Sequence, residues 1–162
     1  MTETKVMKAR NSLVAWGYWA HNHRNYIHYA ESRPIPVNLA PGSLPFTTDC
    51  SGIVTMFAKW SGISDPNGAG YSGWGYTGTL LAHLQHIPFH NTWRGDLVVF
   101  GGGTGTHVVM LLGGGFRQSD PPVASHGHPG ADDPSVMPLS SMRARFPGQP
   151  VTYLRIIRDN VL

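Results

Sequence analysis

The chain predicts an α+β fold in which helices come first and an antiparallel sheet follows. Three observations carry that expectation. Helical spacing of apolar residues is confined to the first half of the sequence. Two apolar runs of strand length, DLVVF and HVVMLL, flank a glycine turn at 101–105, and VTYLRII closes the chain. Finally, 20 glycines and 13 prolines in 162 residues are too many chain breakers for an all-helical bundle. No strand–helix alternation points to a parallel sheet. A chain of this length forms one domain with a real core.

The first element is an amphipathic helix from Thr4, with Val6, Leu13 and Val14 on one face and Trp16 and Trp19 nearby. Between Tyr29 and Phe46 four prolines and no sustained period predict a connecting loop. Asp49 then caps a second helix opened by Cys50, lined by Ile53, Val54, Phe57 and Trp60 and ended at Gly62. Residues 65–78, DPNGAGYSGWGYTG, form an exposed aromatic turn segment, followed by a short helix over 79–85. DLVVF and HVVMLL pair as a hairpin. Further strands are expected near Phe116 and over Val123–Ser125, and VTYLRII is the last.

Composition excludes several chemistries. A single cysteine rules out an internal disulfide and a Cys-rich zinc module. Only two glutamates exist, Glu3 and Glu31, so a paired-carboxylate glycosidase would have to lean on aspartates. The net charge of +3 suits an anionic partner. Its cations, Arg10, Arg24, Arg94 and Arg143 among them, form no stripe of the kind that binds nucleic acid. No apolar run reaches the roughly 18 to 20 residues of a membrane span, and MTETKVMKAR lacks the apolar stretch of a secretion signal. The expectation is a cytosolic chain unless something releases it.

A lone cysteine is more often a small buried hydrophobe than a nucleophile. At Cys50 the start of a helix and the small flanks Ser51 and Gly52 favour an approachable thiolate, while a nearby Asp49 charge would oppose it. Such a nucleophile needs a base, and the base needs a third group to hold its ring. His107 begins a strand after the glycine turn and can stand at a sheet end. His126, after another short extended run, can lie beside it on the neighbouring strand. Trp74 and Tyr76 are able to stack on a sugar or flank a groove, and equally to anchor their loop.

Read together, Asp49-Cys50-Ser51-Gly52 heading an apolar helix, then Arg94-Gly95-Asp96-Leu97-Val98-Val99-Phe100, then His107-Val108-Val109-Met110 resemble the NlpC/P60 family of papain-like cysteine peptidases. The resemblance runs from Tyr26 to about Gly130. DPNGAGYSGWGYTGTLL and SHGHPG look closer still to the N-terminal peptidase domain of mycobacteriophage lysin A proteins. It implies Cys50 as nucleophile, His107 as base and His126 as the third catalytic residue, with His128 as its rival. It also implies Tyr26, or alternatively Tyr29, as the tyrosine that positions the substrate carbonyl, with Ser51 beside the nucleophile. Trp74, Tyr76 and His128 would line the substrate groove.

The implied function is hydrolysis of peptide bonds in the stem peptides of mycobacterial peptidoglycan, next to γ-D-glutamyl linked to meso-diaminopimelate. No cofactor and no metal are expected, and neither nucleic acid nor membrane as partner. The resemblance further implies one monomeric peptidase domain over 1–162, excised from a longer lysin with glycosidase and wall-binding domains. Such a lysin waits in the host cytoplasm until a holin opens the membrane. Two rivals stand beside it. A zinc amidase would use His83, His86 and His90 on one helical face, although no HExxH is present and Pro88 interrupts the helix. A non-catalytic module would only bind the wall.

Overall fold

The computed structural model describes residues 3–157. Helix α1 runs over Glu3–Asn22, as its periodicity predicts. Ala9, Leu13, Gly17 and Ala20 form its buried stripe. Gly17 is required there, because a Cβ would come within 2.7 Å of the Leu112 side chain, just past the end of a sheet strand. Helix α2, Cys50–Trp60, is buried over Cys50–Ala58, where Ser51 and Thr55 are the polar residues. Asp49 is its N-cap, accepting the Gly52 N–H at 2.8 Å. Gly62, at φ +72°, follows its end.

The sheet has six strands. In chain order they are β3 (Gln85–Ile87), β4 (Leu97–Phe100), β5 (His107–Leu111), β6 (Pro122–His128), β7 (Ala131–Pro138) and β8 (Val151–Arg155), and their spatial order is β3-β8-β4-β5-β6-β7 with every pair antiparallel. β4 and β5 are the predicted hairpin, and β8 is the predicted closing strand. A separate parallel pair, β1 (Ile27–Tyr29) with β2 (Phe46–Thr48), bounds the proline-rich loop.

Both faces of the central strands are covered, which explains their unbroken apolar runs. Leu97, Val99, Val108, Met110 and Leu154 pack with α1 and α2. Val98, Phe100, Val109, Leu111 and Val123 pack with Leu139, Met142 and Phe146 on and after a short helix α4, Leu139–Arg143. Asp96 closes the turn before β4 by accepting the Trp93 N–H at 2.8 Å. It is also fully buried against Arg10 at 3.2 Å.

Four expectations change. No strand forms at Phe116; that segment is a turn, and the Phe116 ring stacks on Trp93 at 5.0 Å. β3, β7 and α4 were not foreseen, since QHI, ADDPSVMP and LSSMR carry neither a clear period nor β-branched runs. Helix α3 spans Thr77–His83, slightly earlier than predicted, because Tyr76 and Thr79 form a capping box. It ends at His83, so His86 falls on β3 and His90 in a 3-10 turn, which removes the shared helical face of a zinc site. Among the described residues no group of three or more His, Cys, Asp or Glu side chains is placed to hold a metal. Nor is any helix among them long and apolar enough to cross a membrane.

Candidate active site

Cys50 is the first residue of α2, and the backbone N–H groups of Val108 and Ser51 lie near enough to its sulfur to favour its ionised form. The start of β5 therefore lies across the nucleophile. The side chain is only 6% exposed. Burial pushes the thiol up to about 11, the charges of Asp49 and Glu31 push the same way, and the two N–H groups pull against them without prevailing. At rest the sulfur is a protonated thiol, contrary to the thiolate that the helix start alone suggests.

One residue before Val108 stands His107. Its Nε2 is 2.8 Å from the Ser125 hydroxyl, and its ring stacks on Phe146 at 5.3 Å and 15°. Alternation along β5 turns Val108 toward α2 and places His107 against the α4 side. Burial first, then His128 and His126, lower its pKa to about 3, so the imidazole is neutral. Among the described residues no hydrogen bond joins the Cys50 thiol to a histidine ring.

The third position departs from expectation. His126 is buried, and its Nε2 lies 3.0 Å from the carbonyls of both His28 and Thr48. Two carbonyl acceptors require Nε2 to carry the proton. Its Nδ1 is buried without a partner. His126 thus staples β6 to β1 and β2, and the group on the second nitrogen of His107 is Ser125. The signal for Ser125 lies in strand alternation: His126 shares a face with Ala124 and Ser125 takes the opposite one, together with His107. His128 bonds the Pro129 carbonyl through Nδ1 at 3.0 Å, and its charge is felt by His107.

The two tyrosines separate clearly. Tyr26 sits in a 3-10 turn with 58% of its surface exposed, and nothing ties its ring to the site. Tyr29 packs edge-on against His126 at 5.3 Å and donates to Glu31 at 3.3 Å. Burial raises its pKa first, and Cys50, once ionised, pushes the same way. Gly127 makes room for it: at φ +69°, a Cβ there would land 2.2 Å from the Tyr29 ring.

An open cleft of about 370 Å³ leads to the sulfur, lined among others by Glu31, Arg33, Ser51, Trp74, Tyr76 and Thr106. Ser51 donates to Asp49 at 3.1 Å and accepts from Arg33 Nη2 at 3.1 Å, while Arg33 Nη1 pairs with Asp49 at 3.0 Å. Nothing in the sequence marks Arg33, which lies in a loop without period, in AESRP 16 residues before Asp49; only the fold brings it to the helix start.

Comparison with known proteins follows the same outline. The family model described as the NlpC/P60 family matches residues 39–121, just over half of the chain. No curated protein sequence matches. Among solved structures, the peptidoglycan hydrolase RipB of Mycobacterium tuberculosis aligns with a TM-score of 0.63 at 19% identity, over 98% of this chain and 69% of that one. A P60 domain of a Mycobacterium avium paratuberculosis antigen aligns at 0.57 and 19% identity, over 95% and 97%. RipD of M. tuberculosis, described as a non-catalytic NlpC/p60 domain protein adapted to peptidoglycan binding, aligns at 0.53 and 17%, over 92% and 98%. Identities this low establish the shared fold alone. With helices packed on an antiparallel sheet, a cysteine opening α2 and the family model spanning both DCSG and the His107 strand, the chain belongs to the NlpC/P60 family.

Proposed function

We propose that this domain is a cysteine peptidase that hydrolyses an amide bond in the stem peptides of bacterial peptidoglycan. One observation carries the reading: Cys50 lines an open cleft at a helix N-terminus while its sulfur rests against the backbone of β5 beside His107. In this reading Nε2–H of His107 donates to Ser125 and Nδ1 takes the thiol proton, which must reach it around the first residue of β5 because the ring lies on the α4 side of that strand. Because thiol and imidazole are both neutral at rest, proton transfer accompanies attack.

In the first step Cys50 sulfur bonds to the substrate carbonyl carbon as its proton passes to His107 Nδ1, and the carbonyl becomes an oxyanion. The Cys50 backbone N–H at the helix start and the Tyr29 hydroxyl are the donors suited to it. His107 then gives its proton to the departing amine, leaving a thioester. Water, deprotonated by His107, attacks the thioester and releases the carboxylic acid and the free thiol.

The finer reading is that the domain serves a phage lysin, cutting beside γ-D-glutamyl-diaminopimelate after release from the host cytoplasm as part of a longer protein. A second reading, a wall-binding domain without catalysis, is favoured by the buried neutral thiol and by its missing bond to His107. Digestion of diaminopimelate-type sacculi, followed by mass spectrometry of the fragments, decides between them. The expected result is new amino termini at a single bond, and Cys50→Ala lowers their rate by at least about 10⁴-fold while melting as the parent does. Sedimentation with sacculi but no new amino groups would establish the binding reading instead.

A further inference from the structure

The segment 65–79 is tied down almost residue by residue. The Asp65 carboxylate accepts the N–H groups of Asn67, Ala69 and Tyr71 at 2.9, 3.1 and 2.9 Å. Asn67 donates to Thr55 at 2.9 Å and accepts from Thr79 at 2.7 Å. Gly73 O accepts Ile35 N–H at 2.7 Å, and Gly75 O accepts Arg33 Nε at 2.8 Å. Gly75 packs so closely that a Cβ would meet the Asn67 side chain at 2.2 Å.

From this stiff segment two aromatic rings project into the mouth of the Cys50 cleft. Trp74 is 65% exposed, more than any other large hydrophobic residue among those described, and Tyr76 is 44% exposed. The Tyr76 ring lies over Gly78, where a Cβ would come within 2.5 Å of it, so backbone covers one side of the ring. Holding an indole rigidly in water costs hydrophobic free energy without helping the fold. A large flat apolar face with polar groups alongside matches the alternating C–H and hydroxyl surfaces of a pyranose. The polar groups are present: Glu31 shares the cleft, and Arg33, which donates to Gly75, Ser32 and Ser51 and pairs with Asp49, carries more N–H groups than those three hydrogen bonds use.

We propose that Trp74 and Tyr76 form a sugar-binding ledge at the cleft mouth, which selects stem peptides still attached to their glycan strand over free peptides. This deepens the peptidase reading and rests on it. The sugar end of the substrate lies on the ledge, and the scissile amide reaches Cys50 from there.

The test uses two matched substrates, a soluble disaccharide–peptide and the same peptide freed of sugar, with kcat/KM measured on each for the parent, Trp74→Ala and Trp74→Phe. In Trp74→Ala the ratio of sugar-bearing to sugar-free kcat/KM falls about fivefold, and Trp74→Phe, which keeps an aromatic face, loses less. A ratio equal to the parent's overturns the proposal, whether both rates fall together or neither moves. Calorimetric binding of the disaccharide–peptide to Cys50→Ala, with and without Trp74→Ala, gives a readout independent of turnover; affinity unaffected by loss of the ring also overturns it. Residual hydrolysis by Cys50→Ala would instead sink the thiol mechanism and leave the ratio readable.

Discussion

The nucleophile end and the histidine end of the site are built on different scales. Around Cys50 the cap, the helix start and Ser51 come from adjacent residues, while Glu31, Arg33 and Val108 arrive from elsewhere. Around His107 every partner is remote: Ser125 is 18 positions away and Phe146 lies beyond α4. The first arrangement survives wherever a helix starts with Asp-Cys-Ser-Gly. The second exists only if β5 and β6 are in register and α4 covers them, so a slip of one residue would exchange Ser125 for His126.

The largest effect that tests this contrast is at His107. His107→Gln is expected to lower kcat by about 10³-fold, the range of a lost general base, while Cys50 remains alkylatable. Steady-state kinetics with thiol labelling in parallel checks it. Activity close to the parent's would move the base elsewhere, and His126, with its unpartnered Nδ1, is the group that would take the role.

A smaller effect separates the neighbours on β6. Ser125→Ala is expected to lower kcat about tenfold with KM little changed, and Ser125→Thr, which keeps the hydroxyl, recovers most of it. His126→Ala is expected to act on stability, because it removes the donor shared by the His28 and Thr48 carbonyls; the loss is about 1–3 kcal/mol, a few degrees in Tm. The opposite pattern, a kinetic loss at His126 and a melting loss at Ser125, would restore His126 as the orienting residue.

That division also marks what the residues disclosed by themselves. Short-range signals were readable: the Asp49 cap, the α2 core stripe, the β4–β5 hairpin and the closing strand follow from spacing and turn chemistry. What escaped depends on pairing between distant segments. His126 was expected to hold His107 because two histidines on neighbouring strands resemble a relay, yet strand alternation sends them to opposite faces. Tyr26 and Tyr29 are three residues apart in similar local sequence, and only the Gly127 notch distinguishes the one that enters the site. Arg33 sits amid prolines with no period to place it, and β7 carries Asp132, Asp133 and Pro134, residues that ordinarily argue against a strand.

Stability against pH assigns one limb to each end of the site. Burial, aided by His128 and His126, takes His107 from 6.5 to about 3 in the folded state. Between those values the unfolded chain binds a proton that the folded chain refuses, so stability falls as pH drops from about 6.5 toward 3, by up to about 1.4 kcal/mol per pH unit for this proton. His126, also lowered chiefly by burial, adds in the same direction. At Cys50 the sign reverses. Burial raises the thiol from 9.0 to about 11, so the unfolded chain loses its proton first and stability falls as pH rises through that interval. Urea unfolding across both ranges resolves the two: His107→Gln flattens the acid limb and leaves the alkaline one, and Cys50→Ala does the converse. Parallel curves for His107→Gln and the parent below pH 6.5 would mean that the imidazole charges without unfolding the protein, and the histidine end would then be as open to water as the cleft that serves the thiol.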